Sequence, residues 1–150
     1  MQHGYDVSLE IYGAENINQS TDEAIHYFER VSYDEMQTKY DTADIFLNCS
    51  LHDLGCMVVL EAMAHGLPVI CIKCGGPGEL VNSSTGIALE PCSYKRLVSN
   101  IADVIENLID DPGKRKKMGI KGLDRAFYEF EYNRKYDLFL NILKNHIEES

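Results

Sequence analysis

Two acids eight positions apart, Asp53 and Glu61, frame the run Asp53-Leu54-Gly55-Cys56-Met57-Val58-Val59-Leu60-Glu61-Ala62-Met63-Ala64-His65-Gly66-Leu67-Pro68-Val69-Ile70, where residue types and spacing point most directly to chemistry. Asp53 stands in a loop, and Glu61 stands alone among apolar residues. From Met57 to Ala64 every other residue is apolar, so a helix built from them is buried on most sides and has little room for an unpaired charge. A carboxylate placed there needs a partner. Two accounts follow: a structural Glu that snorkels, caps or pairs with a Lys, or a carboxylate that reaches a hydroxyl of a bound ligand.

The run continues as Cys71-Ile72-Lys73-Cys74-Gly75-Gly76-Pro77-Gly78-Glu79-Leu80-Val81 and then Thr85-Gly86-Ile87-Ala88-Leu89-Glu90-Pro91. Sustained over about forty residues, this order resembles the donor-binding motif of the retaining GT-B glycosyltransferases of family 4. There, two acids eight positions apart precede Ala-Met-Ala-x-Gly-x-Pro-Val-Ile and a Gly-Gly loop. The resemblance implies that Glu61 binds the ribose hydroxyls and Asp53 the hydroxyls of the transferred sugar, making them the candidate catalytic acids. A carboxylate suits such contacts because it accepts two directional hydrogen bonds from a diol. The amides of Leu54, Gly55, Cys56 and Met57 would meet the donor diphosphate at a helix start. Val31, in Arg30-Val31-Ser32-Tyr33, would touch the base through its backbone, and Gly75 and Gly76 would allow close approach to the ligand or to the Glu61 helix.

Plainer accounts stand beside these. Asp53 could be an ordinary N-cap, and Gly75 and Gly76 a tight turn. His52 reads as a polar loop residue, because no geometry yet makes it a base. His65 sits at a helix end, where it would meet the last carbonyls. The common family pattern also has Glu followed by Gly-Phe-Gly where this chain has Asp53-Leu54-Gly55-Cys56. Asp is one methylene shorter. A His-Asp-x-Gly version with Gly-Gly-Pro-Gly downstream is the nearer match, so donor binding is implied while the sugar is not.

Composition limits the rest. A chain of 150 residues is one domain large enough to bury a core without staples. Its net charge of −10 and pI near 4.8 argue against duplex nucleic acid, since the only basic run is Lys114-Arg115-Lys116-Lys117, read as a solvated helix face. No apolar stretch is long enough to span a bilayer, and the first residues lack the pattern of a signal peptide. These features point to a soluble, cytoplasmic chain; the resemblance allows a full enzyme peripheral at the inner membrane face through its other domain. Five cysteines, three of them in apolar runs, suit a reducing compartment. Cys71 and Cys74 form a C-x-x-C pair, but it straddles the end of an apolar strand and nothing completes a zinc set, so neither metal nor cofactor is expected.

Short apolar runs alternate with longer helical patterns, the rhythm of an α/β domain with a parallel sheet. The pattern predicts five strands, Val7–Tyr12, His26–Val31, Asp44–Asn48, Pro68–Ile72 and Gly86–Leu89. Between them it predicts a loop from Ala14 to Thr21, a helix from Asp34 to Thr42, the Glu61 helix, and a brief helix or turn from Pro77 to Val81. Leu97, Ile101, Val104, Ile105 and Leu108 repeat at helical spacing in Tyr94–Ile109, and helical patterns follow over Lys114–Phe127 and Asn133–Ile147. The expected fold is a doubly wound, Rossmann-like sheet with helices on both faces and a helical C-terminus. Beside the family pattern, the chain lacks the N-terminal acceptor domain and the first strand of the donor domain, with its Arg and Lys clamp. The remaining strands are expected to close in the order 2-1-3-4-5.

The function so implied is the nucleotide-sugar-binding part of a hexosyltransferase acting in polysaccharide or glycan assembly. Its donor would be a UDP-sugar or GDP-sugar, its partner the missing acceptor domain, and the chain alone would be inactive. Two rivals are a non-catalytic nucleotide-binding or protein-interaction module, which could form a homodimer, and a sugar-nucleotide epimerase fragment. The unbroken Ala-Met-Ala-x-Gly-x-Pro-Val-Ile run speaks against the epimerase.

Overall fold

The computed structural model describes residues 4–13, 19–138 and 140. The chain divides into two compact units, residues 1–39 and 40–150. In chain order the elements are β1 (Leu9–Tyr12), β2 (Ile25–Phe28), α1 (Tyr33–Thr42), β3 (Phe46–Asn48), α2 (Met57–Ala64), β4 (Val69–Ile72), α3 (Gly75–Leu80), β5 (Gly86–Leu89), α4 (Tyr94–Asp110) and α5 (Pro112–Glu129). Residues 132–138 are also helical. All five expected strands and the expected helices up to α5 are present, while residues 14–18 of the first loop and most of the Asn133–Ile147 pattern lie outside the described residues.

In the second unit β3, β4 and β5 run parallel in that order, with Leu47 beside Ile70 and Ile70 beside Ile87. Val69, Ile70, Cys71 and Ile72 are all buried, as a central strand covered on both faces requires. Ile45, Leu47, Ile70, Ile87 and Leu89 meet Val104, Ile105 and Leu108 of α4 and Met118 of α5. Helix α2 packs on β3 and β4 and against α5. That last contact is close because Gly119 and Gly122 of α5 present no side chain: a methyl on Gly119 would stand 1.9 Å from the Gly66 carbonyl oxygen. Pro112 opens α5, and the Asp111 carboxylate accepts the Lys114 amide at 2.8 Å.

In the first unit β1 and β2 pair in parallel, and Tyr12 stacks on Phe28 with centroids 4.9 Å apart. Lys39 lies 5.1 Å from the Phe28 ring and pairs with Glu10 at 3.6 Å.

Within each unit the strands lie in the expected order, β2 beside β1 in the first and β3-β4-β5 in the second. Two expectations need correction. Strand β2 stops at Phe28 and does not reach Val31. Arg115, placed with the solvated lysines, instead donates to the Leu108 carbonyl at 2.9 Å and to Asp44 at 3.2 Å, tying down the end of α4.

Candidate functional site

Because β3 and β4 are parallel, the segments after Asn48 and after Ile72 leave the sheet at the same carboxyl edge, where ligands bind in open α/β sheets. The loop between β3 and α2 is held by its own side chains. Asn48, nearly buried, accepts the Ser50 amide at 3.0 Å and donates to the Cys56 sulfur at 3.5 Å. Asp53 Oδ1 accepts the Cys56 amide at 2.8 Å. That donor, with further help from the Cys56 thiol and the Gly55 amide, holds the Asp53 carboxyl below the usual carboxylate range.

The loop turns at Cys56, which adopts φ 40 and ψ 45, the left-handed region that favours glycine. Its thiol is pushed up to about 12, first by burial and then by the neighbouring Asp53 carboxylate. Gly75 and Gly76 press against the same loop. The Gly76 amide donates to the Asp53 carbonyl at 2.9 Å, and methyl groups on Gly75 and Gly76 would stand 2.6 Å from the Asp53 and 2.7 Å from the Leu54 carbonyl oxygens. Gly75 also has φ +59. The close approach expected of these glycines is therefore made to the Asp53 loop itself, and it fixes one loop upon the other.

Glu61 lies one turn into α2 and is half-buried. Its partner is neither a Lys nor a cap: the Tyr40 hydroxyl donates to Oε2 at 3.3 Å. His65, one turn further on, pairs with Asp41 through Nδ1 at 2.6 Å, an arrangement beyond the interaction with the last carbonyls expected for it.

The second unit thus carries Asp53, Leu54, Gly55, Cys56, Met57, Glu61, Gly75 and Gly76 on two adjoining loops and one helix. Val31 belongs to the first unit, beyond the end of β2. Of the four amides expected to face a diphosphate, those of Cys56 and Gly55 turn to the Asp53 carboxylate, which leaves those of Leu54 and Met57 to be considered. His52 is exposed. Asn48 and Tyr40 escaped the sequence reading because their roles depend on partners that only folding supplies: Asn48 meets Cys56 eight residues away and Tyr40 meets Glu61 twenty-one residues away. Among the described residues, no group of three or more His, Cys, Asp or Glu side chains is placed to hold a metal.

The chain is 30% identical over 129 residues to the GDP-mannose-dependent monoacylated alpha-(1-6)-phosphatidylinositol monomannoside mannosyltransferase of Corynebacterium glutamicum, covering 81% of this chain and 32% of that protein. It thus spans about a third of that relative's length. Among solved structures it resembles the C-terminal domain of a glycosyl transferase group 1 family protein from Francisella tularensis, with a TM-score of 0.65, 28% identity, and coverage of 74% of this chain and 56% of that one. The fold is also that of Anabaena HepE, solved in complex with UDP-glucose, at a TM-score of 0.66 and 21% identity over 83% of this chain and 33% of that one. The family described as "Glycosyl transferases group 1" matches residues 6–125. A match that runs from before β1 into α5 takes in both glycine-bound loops and both acids, and the chain therefore belongs to the group 1 glycosyl transferases.

Proposed function

We propose that this chain is the donor-binding part of a retaining glycosyltransferase that moves a hexose from a nucleoside diphosphate sugar to a glycan or polysaccharide acceptor. The observation that carries the reading is the Asp53 loop, locked by Gly75 and Gly76 at the carboxyl edge of the sheet and followed one turn into α2 by Glu61. Glu61 accepts hydrogen bonds from the ribose diol. The amides of Leu54 and Met57 face the diphosphate, assisted by the positive end of α2. Asp53, whose Oδ1 is committed to the Cys56 amide, directs its carboxylate toward the sugar hydroxyls. The named relatives include a GDP-mannose-dependent enzyme and a protein crystallised with UDP-glucose, so guanine and uracil are the bases to compare.

The acceptor belongs to a separate domain that completes the cleft. Leu51, Leu54, Met57 and Val58 expose apolar side chains on the segment that leads into α2, surface of the kind such a domain covers. Without that domain nothing positions an acceptor or excludes water, so the chain alone binds donor and does not transfer sugar.

Calorimetric titration with UDP, GDP, UDP-glucose and GDP-mannose tests the reading. One base is expected to bind in the millimolar range, and Glu61→Ala to weaken it roughly tenfold or more, the size of a hydrogen bond to a charged group. Equal affinity in the wild type and Glu61→Ala would remove Glu61 from the donor site. Turnover of a sugar nucleotide onto an acceptor by the isolated chain would overturn the assignment of the acceptor to another domain.

A further inference from the structure

Glu61 needs more than a place on α2 to recognise a diol. Its side chain has several rotatable bonds and its carboxylate plane turns easily, so two directional hydrogen bonds require that the plane be fixed beforehand. The Tyr40 hydroxyl does this, reaching Oε2 at 3.3 Å from a ring that is only 2% exposed. The ring is itself fixed. Phe46 of β3 meets it edge-on, with centroids 5.8 Å apart at 73°, and the His65 imidazole lies 5.4 Å away, held in turn by Asp41.

We propose that Tyr40 is a positioning residue whose hydroxyl sets the Glu61 carboxylate for a vicinal diol, so that discrimination between ribose and 2′-deoxyribose in the donor nucleotide depends on it. The inference rests on the donor-binding reading above. One donor on Oε2 leaves Oε1 and the second lone pair of Oε2 to accept two sugar hydroxyls. The separation of 3.3 Å is long for a hydroxyl–carboxylate pair and shortens when a ligand draws the carboxylate into register. Because the tyrosine ring is packed in the core, its hydroxyl is placed at little further entropic cost.

The test compares UDP and GDP with 2′-deoxy-UDP and 2′-deoxy-GDP by calorimetry on the wild type, Glu61→Ala, Tyr40→Phe and Leu108→Val, a core position in the Ile70 cluster, with thermal melts of each. The wild type is expected to prefer the ribonucleotide roughly tenfold, and Glu61→Ala to lose the preference. Tyr40→Phe keeps the ring, melts cooperatively and loses most of the preference, with 2′-deoxynucleotide affinity unchanged. Leu108→Val lowers the melting temperature and leaves the ratio intact. A ratio in Tyr40→Phe equal to that of the wild type overturns the role of Tyr40 while Glu61 stands. A ratio that falls equally in Leu108→Val makes the effect one of stability and overturns it too. Binding without preference in the wild type overturns this inference alone, and absence of binding overturns the donor reading and this inference with it.

Discussion

Cys56 holds a left-handed backbone of the kind that favours glycine, and it is buried there. The strain of a side chain in that region is about 1–2 kcal/mol, and the buried thiol with its Asn48 contact offsets part of it. Cys56→Gly should therefore change stability by less than about 1 kcal/mol, since release of strain and loss of burial oppose each other. Cys56→Val, β-branched in the same conformation, should cost about 2 kcal/mol or more in urea unfolding. Equal stability of the two variants would show that the turn does not impose the left-handed angle. The thiols make a second prediction. Burial raises Cys56 to about 12 and Cys71 to about 11 from an ordinary 9.0. The native state then keeps protons that the unfolded chain releases, so stability is lost as pH rises from about 9 toward 11. At pH 8 a thiol reagent should label exposed Cys92 in the native protein and reach Cys56 and Cys71 only after unfolding; rapid native labelling of either buried thiol would contradict this.

Helices α2 and α5 meet through glycines, and the same substitution should have opposite consequences at two places in α5. Gly119→Ala drives a methyl to 1.9 Å from a backbone carbonyl that cannot rotate away, so the helix must move. It should cost about 3 kcal/mol and lower the melting temperature by roughly 10 °C. Gly113→Ala meets only the Asp111 carboxylate, at 3.4 Å, and should gain about 0.5 kcal/mol from helix propensity. Parallel losses in both variants would mean that propensity, not packing, sets the outcome. What could be read of these elements in advance depended on how local their causes are. The uninterrupted Val69-Ile70-Cys71-Ile72 run between Pro68 and Cys74-Gly75-Gly76 marked β4 nearly to the residue, and the 3.6-residue repeat of Leu97, Ile101, Val104, Ile105 and Leu108 marked α4. The start of α3 at Gly75 was hidden, because two glycines in sequence suggest a turn, and only the carbonyls of Asp53 and Leu54 show why they open a helix.

At the scale of the whole molecule, the strand count and the parallel rhythm were legible, and so was the placing of the Asp53 loop at the carboxyl edge of β3 and β4. The division into two units was not, because alternation of apolar residues fixes which face of a strand is buried and not how the strands group. The two units also differ in how much they bury. Among the described residues of the first unit none is fully buried, whereas β4 is buried along its length and Val59, Met63 and Leu108 are closed off completely. A two-stranded sheet without a buried core is marginal by itself, and local opening tracks the number of buried apolar contacts. Native-state hydrogen exchange should therefore find the β1–β2 ladder amides, such as Tyr27, opening well below the global unfolding free energy. The β4 amides, Ile70 and Cys71, should exchange only through global unfolding. A chain covering residues 40–150 should keep the slow β4 protection, within about 1 kcal/mol, because the described residues packed around Ile70 lie between Ile45 and Met118. Equal protection of β1–β2 and β4 in the whole chain, or its collapse in β4 after the truncation, would show instead that the two units fold as one cooperative body.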